Sequence, residues 1–507
     1  MVTFLQNAMT FLRARKLGLL AGFAGVTVVI AFAALGSRPS DVRTPSIKAR
    51  TTNQSSATET VGTEPSEVAA GEPQPSPGAT GKPTARKAVK KSAVTTGSGA
   101  APLVGGLGRG VTADKIKLGF IIVENNQKML SFYGVQGGAT GDTKQQVNAV
   151  VNDLNARGGI LGRKIEPVFR TLDSTDTTDQ FPSFCAAFSQ DEKVFAVLSP
   201  WNSNAAFHAC LAKAGTLYIT DALDQEDQET FQEFKPYLVS GMMTSSRGAV
   251  SLARALNQAG FFAAGTKLGV IRINNPTGER VYNNHFKPTL ASFDVIPADV
   301  TYSGLTTRAG VDAAQRFQGK GINRVAFITA RGGPALGFMT AAQSMGYFPL
   351  YGIASPDSPA FLAQNAPYPQ LRGAFGAGWA AGLDVFDREG PPRTPAEQRC
   401  FEVHAKAGTT YSARGGEDVG AYIALTFCDM LWLLEEAGTK AGRTLNVGSF
   451  ATALGQLGTS HQTTATFGTT YSPTVYDGAN QFRTLTYDDS PSCRCFKYTG
   501  PAQTVPR

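Results

Sequence analysis

Six cysteines have the widest chemistry in this chain: Cys185, Cys210, Cys400, Cys428, Cys493 and Cys495. A thiol can serve as nucleophile, metal ligand or half of a disulfide, and spacing helps to separate the three. No Cys-x-x-Cys occurs and the four histidines are scattered, so a metal site has no local signature. Chain proximity favours Cys185 with Cys210, Cys400 with Cys428, and Cys493 with Cys495, one of many possible connectivities. Catalytic signatures are also missing: there is no Gly-x-Ser-x-Gly, His-Glu-x-x-His or phosphate-loop motif. Gly260-Phe261-Phe262-Ala263-Ala264-Gly265-Thr266-Lys267 imitates a phosphate loop, but its last two residues are inverted and it precedes a strand. The chain reads as a non-enzyme with no metal and no cofactor.

The elements that would position any site alternate in type. Ile116–Val123 is an apolar run of strand length, and Thr143–Arg157 places Val147, Val150, Val151 and Leu154 on one helical face. Strands follow at Lys164–Thr171, Val194–Leu198 and Leu217–Thr220, with helical stretches between them. The rhythm repeats at Lys267–Ile273, Asp294–Tyr302, Arg324–Thr329 and Leu350–Ala354. Such alternation predicts α/β architecture, two doubly wound parallel-sheet lobes. After Arg372 the sequence predicts a strand at Gly373–Ala377 and helices at Pro395–Lys406, Gly416–Glu436 and Gly448–Leu457. Short strands are expected at Ser472–Tyr476, Gln481–Tyr487 and Arg494–Tyr498.

Charge and composition divide the 507 residues differently. The net charge of +8 lies wholly in residues 1–110, while residues 111–507 carry 34 basic and 34 acidic residues. A neutral folded part disfavours nucleic acid as a partner. Arg13, Arg15 and Lys16 precede an uncharged run, Leu17–Leu35, close to the ~20 residues that span a bilayer. Residues 1–36 therefore read as a signal or signal-anchor helix, with the remainder exported. Ala31-Phe32-Ala33 and Ala34-Leu35-Gly36 would suit cleavage, so the chain is expected outside the cytoplasm, anchored or secreted. Residues 37–112, rich in Pro, Ser, Thr, Gly and Ala, form a disordered linker in this reading.

The segment Asn155-Ala156-Arg157-Gly158-Gly159-Ile160-Leu161-Gly162-Arg163-Lys164-Ile165 resembles a signature of type I periplasmic binding proteins, the leucine/isoleucine/valine-binding group. Gly158 and Gly159 suit a left-handed helix end, and Gly162 a tight turn into the next strand. Phe132-Tyr133-Gly134, Leu217-Tyr218-Ile219-Thr220 and Gly333-Pro334-Ala335-Leu336-Gly337 extend the likeness. The resemblance implies a hinge between two lobes, 113–240 plus 372–465 and 241–371 plus 466–507. It also implies a monomer that traps a small solute in the cleft and passes it to an ABC permease. Sensing, or a surface interaction without transport, is the alternative for the same fold.

Carried over residue by residue, the resemblance puts Tyr133, Ser199, Trp201, Asn202, Ser203, Thr220, Asp221 and Ala222 on the cleft side of lobe one. On lobe two it puts Asn274, Asn275, Arg331 and Asp357, with Asp357 in the place of an acid that grips an ammonium group. Ser203 can equally cap the next helix, and Asp357 can cap its own turn. Trp201 offers a flat face and one N–H donor. Pro200, Trp201, Thr277 and Gly332 depart from the family pattern, which implies a ligand larger or flatter than a branched-chain amino acid.

Overall fold

The computed structural model describes residues 106–505, apart from 133–137, 177, 223–225, 303–306 and 329–331. The run Leu17–Leu35, the linker up to residue 105, Tyr133 and Arg331 lie outside the described residues. Among the described residues no helix is long and apolar enough to cross a membrane.

Strand β1 (Lys115–Glu124) buries Ile116, Leu118, Phe120 and Ile121 completely, as a parallel strand covered on both faces must. Helix α1 (Thr143–Ala156) starts where Asp142 accepts from Gln145 N at 2.9 Å, and it buries the predicted valine–leucine face. It ends where Gly158 and Gly159 take φ of 108° and 70°. A Cβ on Gly159 would collide with the Arg163 carbonyl, so only glycine lets the chain reverse into β2 (Lys164–Asp173). β2 then pairs parallel to β1 with Ile165 opposite Ile116.

β3 (Ala196–Ser199), helix α2 (Ala205–Lys213), β4 (Leu217–Thr220), helix α3 (Gln228–Glu233) and β5 (Leu238–Val239) complete the first sheet, in the order β2-β1-β3-β4-β5. The second lobe begins with α4 (Ser245–Gln258), β6 (Leu268–Arg272) and α5 (Pro276–Arg280). β7 (Asp299–Tyr302), β8 (Arg324–Ile328), β9 (Leu350–Ala354) and β10 (Phe375–Gly378) run parallel with β6. β11 (Gln481–Asp488) and β12 (Cys495–Thr504) close the sheet antiparallel, giving β12-β11-β10-β9-β8-β6-β7. Between β10 and β11 the chain returns to the first lobe, where α6 (Val419–Ala441), buried along most of its length, packs on α1 and β3.

Three details differ from the sequence reading. β10 belongs to the second sheet, because it pairs with β9 and β11; a boundary at 372 would give it to the first lobe. Residues 106–112 are folded body rather than linker: Gly108 N donates to Leu445 O at 2.7 Å and Val111 is buried. Ser472–Tyr476 is a turn, in which Ser472 pairs with Val475 around Pro473.

The cysteines are joined as Cys185–Cys210, Cys400–Cys428 and Cys493–Cys495. His404 Nε2 lies 3.8 Å from Cys428 Sγ, but that sulfur is already bonded to Cys400.

Candidate functional site

The loop after β3 and Glu226 beyond β4 face the loop after β6 and the last residue of β8. Between them lies a cavity of about 400 Å³, open mouth included. It sits at the carboxyl ends of the strands, where open α/β sheets bind ligands. Ser203 and Glu226 line it from the first lobe, and Ser245 from the start of α4. Ile273, Asn275, Thr277, Gly278, Val281 and Ile328 line it from the second.

Each polar group there is placed by local structure. Asn204 caps α2 by accepting from Phe207 N at 2.9 Å, which sets Ser203 at the loop's edge. Ser203 Oγ lies 2.7 Å from His208 Nε2, one turn into α2. His208 is buried, its ring stacks on Tyr218, and burial lowers its pKa to about 4, so it is neutral. Its Nδ1 is 4.0 Å from Glu226 Oε1. Asn275 caps α5 through Gly278 N at 2.7 Å. Across the cleft, Thr277 Oγ1 donates to Glu226 Oε2 at 2.7 Å. Beside this contact Arg280 pairs with Asp227, and Glu229 accepts from Asn284 at 2.9 Å and meets His285 at 3.0 Å.

Of the residues singled out from sequence, Ser203 and Asn275 come together on this cavity. Asn274 is exposed beside Asn275. Asn202 is half-buried beside Ser203. Ser199 is buried and folds back on its own loop, accepting from Trp201 N at 3.1 Å. Trp201 is half-buried against the first lobe's core. Thr220 and Ala222 are buried, with Thr220 Oγ1 accepting from Ala222 N at 3.2 Å. Asp357 is buried away from the cavity lining; its Oδ2 accepts from Ala354 N at 2.9 Å, the capping role.

Asp221 moves furthest from expectation. It is fully buried at the crossing between the lobes, where its Oδ1 accepts from Gly241 N at 2.8 Å. Asp429 of α6 lies beside it, also fully buried, and accepts from Thr464 N at 2.7 Å. Asp221 Oδ2 and Asp429 Oδ2 have no donor among the described residues. One proton held between the two carboxyls satisfies both. Burial, then the charge of Asp429, pushes the Asp221 pKa well above the usual carboxylate range, so Asp221 carries that proton. Burial pushes Asp429 the same way, but His461 at 3.4 Å outweighs it and holds Asp429 ionised. His461, though buried, is raised to about 10 by Asp429 and by Glu436 at 2.9 Å. The same crossing is braced by Arg247 on Asp477 at 2.6 Å and by Ser240 N on Tyr476 O at 2.9 Å.

Sequence reasoning missed Glu226, His208 and Ser245. The acid-rich stretch Asp224-Gln225-Glu226-Asp227 signals only a solvated loop, and His208 reads as a core histidine. Their meeting needs the fold.

Residues 130–480 match the family described as periplasmic binding protein. By sequence, no curated protein matches the chain. Among solved structures it is similar to a solute-binding protein of an ABC transporter from Rhodopseudomonas palustris HaA2 in complex with p-hydroxybenzoic acid. That likeness has a TM-score of 0.58 at 15% identity, over 77% of this chain and 98% of that one. A branched-chain amino acid ABC transporter from Thermus thermophilus with bound valine gives 0.57 at 15%, over 77% and 97%. The branched-chain amino acid transporter substrate-binding protein from Streptococcus pneumoniae in complex with isoleucine gives 0.55 at 17%, over 76% and 100%.

Proposed function

Because the chain belongs to the periplasmic binding protein family, we propose that it captures a small solute outside the cytoplasm by closing its two lobes and delivers it to an ABC-type importer. One observation carries this reading: the cavity is walled by Ser203 and Glu226 from one lobe and Asn275 and Thr277 from the other. A solute seated there contacts both walls only when the lobes are together, so it stabilises the shut state by its differential affinity. The structures this chain is similar to hold valine, isoleucine or p-hydroxybenzoic acid, all of them small solutes. The chain works as a monomer, with the first sheet and α6 as one lobe and the second sheet with α4 as the other. The run Leu17–Leu35 either tethers it to the membrane or is removed on export.

Mass spectrometry of the small molecules released by denaturing the purified full chain tests the proposal. The expected result is one solute at near-stoichiometric amount, which raises the melting temperature when added back to stripped protein. No released solute, and no shift with any fraction of a cell extract, would remove solute capture.

A further inference from the structure

Resting on the solute-capture reading, we propose that the first-lobe wall of the cleft receives a protonated amine, a donor of hydrogen bonds, and does not hold a carboxylate.

The argument starts from where the hydrogens sit. Ser203 Oγ and His208 Nε2 are 2.7 Å apart, so one of them donates to the other. His208 Nδ1 has no hydrogen-bond partner among the described residues and points toward Glu226 Oε1, 4.0 Å away. A lone pair on Nδ1 would face a carboxylate, whereas an N–H there is drawn to it. The proton therefore resides on Nδ1, Nε2 accepts, and the Ser203 hydroxyl spends its hydrogen on His208. The ring is buried and neutral, so it supplies no positive charge to the cleft. What Ser203 turns to the cavity is lone pairs.

The charge of the wall points the same way. Glu226 lines the cavity with its side chain 16% exposed, and Thr277 donates to it from the facing lobe. Arg280 on that facing wall is engaged by Asp227 and Thr230. Four backbone amides beside the cleft are also occupied. Phe207 N is taken by Asn204 and Gly278 N by Asn275. Ser245 N is taken by Glu226 O and Thr244 N by Asp477. Ser245 Oγ remains, a hydroxyl that accepts as readily as it donates. A carboxylate brought here meets lone pairs and a like charge, while an ammonium meets two acceptors and an opposite charge. Ile273, Val281 and Ile328 supply an apolar wall for the body of the ligand.

The test uses the stripped full chain in detergent and matched pairs that differ only in the head group. These are 4-hydroxybenzylamine against 4-hydroxybenzoate, and isopentylamine against isovalerate, read by calorimetry and melting temperature. The amine of each pair is expected to bind at least tenfold tighter than its carboxylate twin. Glu226→Gln should remove that preference while its own unliganded melting temperature stays close to wild type. Ser203→Ala, which leaves the charge in place, should weaken the amine by a smaller factor. A carboxylate that equals or beats its twin, or amine binding untouched by Glu226→Gln in a folded variant, overturns the proposal. If neither series binds, the solute released from the purified chain decides: an amine supports the assignment, and an acid or neutral solute overturns it while capture stands. If nothing is released and nothing binds, both readings fall.

Discussion

Asp221 and Asp429 invite the same substitution with opposite consequences. Asp221→Asn replaces a protonated acid by an amide of equal shape. Its carbonyl still accepts from Gly241 N, at 2.8 Å in the native chain, and its NH₂ donates toward Asp429 as the acid hydroxyl does. Below about pH 4, where the wild-type acid is protonated both folded and unfolded, the expected cost is within about 1 kcal/mol, the scale of one exchanged hydrogen bond. Asp429→Asn instead removes the charge facing His461 at 3.4 Å, where neither side chain has any solvent exposure. Breaking a buried pair costs about 3–5 kcal/mol, and since Glu436 still holds His461 Nδ1 at 2.9 Å, the low end, about 3 kcal/mol, applies. The pH dependence separates the two further. The folded pKa of Asp221 is raised, so its contribution is fully present below the unfolded carboxylate pKa of about 3.9 and is lost as pH rises toward the folded value. Asp221→Asn escapes that loss, so it should gain on wild type by up to about 1.4 kcal/mol per pH unit over that window. The groups facing the pair are His461, the hydroxyls of Tyr422 and Tyr471, and Glu436 behind the histidine, and none of them changes in this variant. Urea unfolding at pH 5, 7 and 9, followed by fluorescence of Trp201, Trp379 and Trp432, reads all of this. If Asp221→Asn costs as much as Asp429→Asn, or loses ground as pH rises, Asp221 is the ionised member and the shared-proton argument fails.

Other expectations follow from the same structure. His461, raised to about 10, contributes stability that is complete below its unfolded pKa near 6.5 and is lost as pH climbs through about 10. His461→Gln should therefore flatten the alkaline limb of the stability profile, and an unchanged limb would refute the assignment. Replacing Cys185 and Cys210 together by serine reopens a loop of 25 residues and should lower unfolding free energy by about 3 kcal/mol, read as a lower urea midpoint. Gly241→Ala puts a methyl onto the Asp429 carboxylate and 3.0 Å from Asp221 Oδ1, at an expected cost of about 1–3 kcal/mol. A neutral Gly241→Ala in the same assay would mean that the acid pair is looser than described.

Much of the fold could be read from the chain because its signals are local. The β1 run is apolar on both faces, α1 shows a valine–leucine stripe, and Gly158-Gly159 marks the reversal into β2. What escaped was whatever depends on a distant partner. β10 looks alike in either lobe, and only its pairing with β9 and β11 assigns it to the second sheet. Val111 is one valine at the end of a polar stretch, and its burial becomes visible once Gly108 is seen bonded to Leu445, more than three hundred residues on. Ser472–Tyr476 has strand-like composition, but Pro473 removes a donor from it, and the segment closes on itself.

The site shows why position along a strand identifies a cleft without identifying its contacts. Among the described residues the loops nominated after β3, β4, β6 and β9 follow those strands, yet a carboxylate in such a loop has two competing uses. It can face the opening, or it can satisfy backbone amides that the strand's end leaves unpaired. Asp357 and Asp221 both take the second course, one with an amide three residues back and the other with an amide twenty residues ahead. The acid that does reach the opening, Glu226, sits in a stretch where charge alone predicts solvent. What holds it there is Thr277, one of the residues that depart from the family pattern. Its hydroxyl bridges the two walls of the cleft. Under the proposal that the first-lobe wall receives an amine, such a departure changes the preferred head group while the fold stays the same.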